Sequence, residues 1–201
     1  MADRVPPSAD EVTEAFLGAL AALDESRSDY AVLGGIAVDL YAGPRLTLDV
    51  DVVVSLPRVA WPGLLDRLAS RGFLPSTPDR PGRTQADVLE ELRTDSMTAL
   101  WRGSVRLDLL EADDPLHAEA LRRKTSVRAF NVDIPVVRAE HLLLTKWIAG
   151  RPKDLIDVDQ VLAAQGSKLD LSIVRAWLPA IEASGGRSAG DFEDRVRRLV
   201  R

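Results

Sequence analysis

The chain has 201 residues, a formal net charge of −5, 46% hydrophobic residues and no cysteine. That length builds one compact domain, or a core with a small helical appendage, with enough apolar surface to fold without staples. The missing cysteine excludes disulfides, thiolate catalysis and cysteine–zinc sites, and the acidic balance argues against a dedicated duplex-DNA binder, which carries a basic face.

The start, Met1-Ala2-Asp3-Arg4-Val5-Pro6-Pro7, lacks the basic-then-apolar pattern of a signal peptide. No run approaches the ~18 consecutive apolar residues of a membrane span. The expectation is a cytoplasmic protein with no membrane partner.

In chain order, Ser8 and Glu11 form a capping box, and Val12, Phe16, Leu20 and Leu23 follow at helical spacing, which predicts a helix over 9–25. Tyr30-Ala31-Val32-Leu33 reads as a strand ending at Gly34-Gly35. A short helix over 36–41 is closed by Gly43-Pro44. The clearest strand covers 47–54, and a helix follows within 58–71, started or kinked by Pro62. Residues 75–87, with three prolines, read as a loop; its Arg80 and Arg83 belong either to a plain solvent loop or to one that closes over a substrate.

Strands are predicted over 95–101 and 104–111 around Arg102-Gly103, a short helix over 115–122, and two short strands within 126–137 turning near Asn131. From 138 onward the pattern is helical. Leu142, Leu143, Trp147 and Ile148 share one face, Leu155, Val158, Val161 and Leu162 a second, Ile173, Val174, Trp177 and Ile181 a third, and Phe192, Val196 and Leu199 a fourth. The expected fold class is α/β: a mixed β-sheet core over 1–137 flanked by helices, with a helical C-terminal portion over 138–201. The arginines at 195, 197, 198 and 201 read as the solvated face of a last helix, and His117 and His141 as ordinary helix residues.

The chemistry sits in the aspartates. Asp49 and Asp51 interrupt a Val- and Leu-rich strand, where aspartate is depleted. They point to the same face with Cα atoms roughly 6.5–7 Å apart. Carboxylates at about 4 Å repel by on the order of 4 kcal/mol at an effective dielectric near 20, and a divalent cation offsets that most simply. Asp108 again interrupts an apolar strand, sharing a face with Arg106. It either joins the other two aspartates or pairs with Arg106 or Arg102. Three converging acids suit two Mg²⁺ ions and in-line displacement at phosphorus. Gly34-Gly35, between a strand and a helix, suits close approach of a phosphate to backbone N–H groups, although such a pair alone is more often a tight turn.

Taken together, Leu33-Gly34-Gly35-Ile36-Ala37-Val38-Asp39, then Arg45-Leu46-Thr47-Leu48-Asp49-Val50-Asp51, then Asp108, resemble the DNA polymerase β-type nucleotidyltransferase superfamily. The Gly-Gly and Arg-x-Thr-x-Asp-x-Asp variant is similar to the AbiEii toxin group and to aminoglycoside 2″-nucleotidyltransferases. Glu140 to Lys146 and Arg151-Pro152-Lys153-Asp154-Leu155-Ile156-Asp157 resemble the helix pair of the AbiEii group. The resemblance covers about residues 29–162.

It implies a Mg²⁺-dependent enzyme that moves a nucleoside monophosphate from an NTP to a hydroxyl on tRNA, protein or a small molecule. Asp49, Asp51 and Asp108 would hold the metal, two ions with NTP bound, and Asp108 would accept the hydroxyl proton. Gly34 and Gly35 would cradle the triphosphate, and Lys146 would approach it or the substrate as a point charge. Many members have serine at the place of Gly35; Arg45 or Thr47 would have to compensate. An antitoxin partner follows if the chain is a toxin. Asp154 and Asp157 read equally as first-turn helix acids. The alternative is a non-catalytic interaction or antitoxin-like protein that keeps the fold.

Overall fold

The computed structural model describes residues 6–44, 47, 49–77 and 81–200. Contacts divide the chain into two units, Met1–Ile36 with Leu46–Arg122, and Ala37–Arg45 with Arg123–Arg201.

The first unit opens with α1 (Ala9–Glu25), whose capping box forms as its sequence requires: Ser8 Oγ accepts from Glu11 N, and the Glu11 carboxylate accepts from Ser8 N at 2.7 Å. Then come β1 (Asp29–Leu33), the start of α2 (Gly34–Ala42), β2 (Asp49–Ser55) and α3 (Trp61–Ser70). Pro62 sits in the first turn of α3, where its missing N–H costs nothing, behind a 3-10 turn at Arg58–Ala60. The unit closes with α4 (Gln85–Asp95), β3 (Met97–Arg102), β4 (Val105–Glu111) and α5 (Pro115–Arg122). Its strands lie in the order β3-β4-β2-β1. β2 runs parallel to β4, while β1–β2 and β3–β4 are antiparallel, so the sheet is mixed. α1 packs on α3 and against β2 and β4, and α4 covers β3. Phe16, Leu23, Val32, Val50, Val52, Leu64, Leu68, Phe73, Leu107 and Leu109 form its dry core.

One element corrects the sequence reading. The residues read as the end of a loop at 85–87 begin α4, and Thr84 with Asp87 makes a second capping box. Val88 and Leu92, one turn apart, are its buried face. Arg83 is no lid residue either. Its guanidinium, 8% exposed, donates to the carbonyls of Pro75 (3.0 Å) and Ala99 (2.7 Å), to Thr98 Oγ1, and to Glu91. It pins this segment to the sheet. Arg80 lies outside the described residues.

The second unit holds the rest of α2, the hairpin β5 (Thr125–Ala129) and β6 (Val132–Val136), and four helices: α6 (Ala139–Ala149), α7 (Pro152–Gln165), α8 (Leu171–Ala183) and α9 (Ala189–Leu199). Phe130 and Asn131, at φ 50° and 61°, make the hairpin turn. α6 packs on α7 and α8, and α9 closes on both of those. Trp147 and Phe192 meet edge-to-face with centroids 5.3 Å apart. Of the basic C-terminal run, Arg195 is a staple rather than a solvated charge: it bonds Asp159 and lies 5.9 Å from the centre of the Trp147 ring. His141 is fully buried on α6, and His117 caps back onto Asp114 at the start of α5. Among the described residues no helix is long and apolar enough to cross a membrane.

Candidate active site

The parallel pairing of β2 with β4 builds the site. Its register sets Asp51 opposite Asp108 and Asp49 opposite Arg106. The intervening residues, Val50 and Val52 on β2 and Leu107 and Leu109 on β4, are completely buried on the other face. Alternation therefore turns all four polar side chains to one side of two neighbouring strands. The convergence of Asp49, Asp51 and Asp108, which the sequence allows without requiring, is the arrangement found.

The glycine turn enters through β1. Leu33, the last residue of β1, pairs with Asp51, and Gly34 follows at φ 67°. A Cβ built on Gly34 would stand 1.9 Å from Asp51 Oδ2 and 2.4 Å from its Cγ. Only glycine leaves that space, and its left-handed backbone would strain any other residue. Gly34 thus seats the Asp51 carboxyl against the first turn of α2. Gly35 follows, buried, within that turn. The N–H groups of a helix's first turn have no partner within the helix and favour an anion.

Asp49 and Asp51 are half-buried, and Asp108 is 8% exposed. Burial pushes the Asp108 carboxyl up to about 6; Arg106 opposes the rise, and the charges of Asp51 and Asp49 reinforce it. Both sequence readings of Asp108 hold at once, since it faces the other aspartates and also has Arg106 Nη2 2.8 Å from its Oδ1. That ion pair is close but poorly aligned, for Asp108 Oδ1 and Arg106 Nε are both buried without a hydrogen-bond partner. Arg102, the other partner considered, binds Glu14 instead.

Thr47 Oγ1 donates to the Asp49 carbonyl at a long 3.4 Å, and Arg45 lies outside the described residues. Lys146 belongs to the second unit. Its Nζ lies 2.8 Å from Asp157 and 3.3 Å from Asp154, and Arg151 adds a 2.5 Å contact to Asp154. Burial alone would raise the Asp154 carboxyl, but the Arg151 hydrogen bond and the Lys146 charge outweigh it and hold it low.

Among the described residues no three carboxylate or imidazole groups close tightly enough to hold a metal ion unaided. Mg²⁺ does not ask for such a cage; it takes one or two carboxylates and completes its shell with substrate phosphates and water. The donor set fits that mode. The oxygens are hard, Asp108 is held by a single Arg106 nitrogen, and the Gly34 cradle holds Asp51 beside a helix N-terminus.

One feature of the site escaped the sequence: the Gly34–Asp51 interlock, which depends on where β1 ends against β2.

Comparison with known proteins agrees with this architecture. The antibiotic-resistance factor ANT(2″)-Ia aligns with a TM-score of 0.58 at 15% identity, over 89% of this chain and 97% of that one. The lincosamide antibiotic adenylyltransferase LnuA, bound to lincomycin, gives 0.52 at 15% identity, over 75% and 96%. An antigenic nucleotidyltransferase-like protein from Paracoccidioides brasiliensis gives 0.51 at 18%, over 98% and 97%. At such identities the likeness speaks for the fold alone. No curated protein is significantly similar in sequence. The family described as nucleotidyl transferase AbiEii toxin, type IV TA system, matches residues 15–199. With nearly the whole chain covered, the protein belongs to the AbiEii nucleotidyltransferase family.

Proposed function

We propose that the chain transfers a nucleoside monophosphate from an NTP to a hydroxyl acceptor, with Mg²⁺ held by Asp49, Asp51 and Asp108. The observation that carries this reading is the register of β2 on β4, which faces three carboxylates together beside the Gly34 turn. The acceptor oxygen attacks the α-phosphorus, the bond to the bridging α–β oxygen breaks, and pyrophosphate leaves. The hydroxyl proton passes to the Asp108 carboxylate. Mg²⁺, when bound, neutralises charge on the phosphates and aligns them for in-line displacement. The first-turn N–H groups at Gly34 and Gly35 face the triphosphate, and Asp51 stays fixed because Gly34 leaves it room. Positioning and charge compensation supply most of the rate.

The family's place in type IV toxin–antitoxin systems supports an antitoxin partner for this chain. The small-molecule acceptors of ANT(2″)-Ia and LnuA lend the drug-modifying alternative some support, as tRNA and protein acceptors follow from the toxin reading. Incubation with each labelled NTP and Mg²⁺, against total RNA, total protein or aminoglycosides, identifies the acceptor. Label transferred by the wild type and abolished in Asp49→Asn, with an unchanged circular dichroism spectrum, is the expected result. Full transfer by that variant would refute the metal assignment. The rival reading is a binding module that keeps the fold. That rival predicts no thermal shift with Mg²⁺ and any of ATP, CTP, GTP or UTP.

A further inference from the structure

Arg106 stands inside the aspartate patch. Strand pairing sets it opposite Asp49 and two residues before Asp108, on the same face. On the facing strands β2 and β4, three aspartates thus surround one arginine among the described residues. A guanidinium cannot give up its proton, so its charge persists whatever else enters the site.

The Arg106–Asp108 contact is also poorly consolidated. The Nη2–Oδ1 distance is 2.8 Å, yet neither that oxygen nor Arg106 Nε makes a hydrogen bond, and 42% of the Arg106 side chain is exposed. An aligned two-pronged arginine–carboxylate bond would be costly to break. This one runs through a single atom pair with Nε left over, and the side chain has open solvent to move into. A divalent cation reaching Asp108 meets a competitor there, and a phosphate reaching the site meets a donor with capacity to spare.

We propose that Arg106 is an exchangeable counter-charge, which holds Asp108 in the nucleotide-free protein, opposes free divalent cations there, and turns to a phosphate oxygen when the metal–nucleotide enters. The inference rests on the nucleotide-transfer reading of the site. In this arrangement the acidic patch resists free metal until substrate arrives. The exchange also makes two affinities move in opposite directions when Arg106 is neutralised, which a merely structural arginine would not do.

The test titrates Mn²⁺ alone, followed by its free electron paramagnetic resonance signal, into wild type, Arg106→Gln, Arg106→Lys and Asp51→Asn. Binding of the Mg²⁺ complexes of the four α,β-methylene nucleoside triphosphates is measured on the same proteins. In Arg106→Gln, Mn²⁺ should bind about 10-fold more tightly and the preferred nucleotide complex about 10-fold more weakly. Arg106→Lys keeps the charge, so its Mn²⁺ affinity should stay within about 2-fold of wild type, with nucleotide binding between the other two. Unchanged or weaker Mn²⁺ binding in Arg106→Gln, or two affinities that move the same way, overturns the exchange. If Asp51→Asn loses Mn²⁺ while Arg106→Gln behaves as wild type, the exchange alone falls. If Asp51→Asn also binds Mn²⁺ as wild type does, the metal site falls with it.

Discussion

The two units each gather acids and bases below the surface, and they treat them in opposite ways. In the second, Lys146 and Arg151 face Asp154 and Asp157, two cations against two anions. Lys146, Asp154 and Asp157 are at most 8% exposed, and each lies within 3.3 Å of an opposite charge. In the first, strand register sets Arg106 among three aspartates, its contact to Asp108 runs through one atom pair, and burial raises the Asp108 carboxyl. A charge cluster compensated from within acts as a brace. One with more acid than base stores unfavourable energy that a bound cation can relieve.

The largest expected effect breaks the deficient cluster. Asp51→Asn should lower nucleotide transfer by at least about 10³-fold, on the order of 4 kcal/mol of transition-state stabilisation, with little change in melting temperature. Removal of divalent metal by EDTA should do the same reversibly, with activity restored by Mg²⁺. The brace should answer the other way. Lys146→Met takes the cation from buried Asp157, leaves Asp154 to Arg151 alone, and should cost about 3–5 kcal/mol in urea unfolding. A loss under about 1 kcal/mol would show that the cluster is not load-carrying in this sense.

The contrast sharpens at Asp108. Its carboxyl is raised, so ionisation there weakens the metal-free fold as pH climbs through about 6. Asp108→Asn should abolish transfer yet leave the melting temperature of the nucleotide-free protein at pH 7.5 unchanged or higher; a fall beyond about 4 °C would contradict that. Gly34→Ala lies between the two cases. The positive φ alone costs about 1–2 kcal/mol, and the added methyl displaces the Asp51 carboxyl, so activity should fall further than stability. The smallest effect, about 1 kcal/mol, is expected for Ser8→Ala at the α1 cap, far from either cluster, with transfer kinetics unchanged.

Local signals in the sequence were strong wherever the governing contact spans a few residues. Ser8 with Glu11 marked α1, and the alternation of Asp49, Val50, Asp51 and Val52 told which side chains share a face. The same capping logic was present at Thr84 and Asp87, but the prolines just before it masked the start of α4. The site itself is non-local. More than fifty residues separate Asp51 from Asp108, and nothing in either strand names its neighbour; the parallel pairing follows from how α3, α4 and β3 fill the interval. Nor can spacing tell that Gly34 touches Asp51, because that contact arises only when β1 ends level with it.

The β2–β4 register carries one more consequence, for folding fidelity. Were β4 to slide by one residue, Leu107 would turn outward and the carboxylate at 108 would be driven into the apolar layer with Val50 and Val52. The oily face thereby proofreads the acidic one: a chain that misaligns its carboxylates also forfeits its interior, so the slipped pairing is selected against by its own instability.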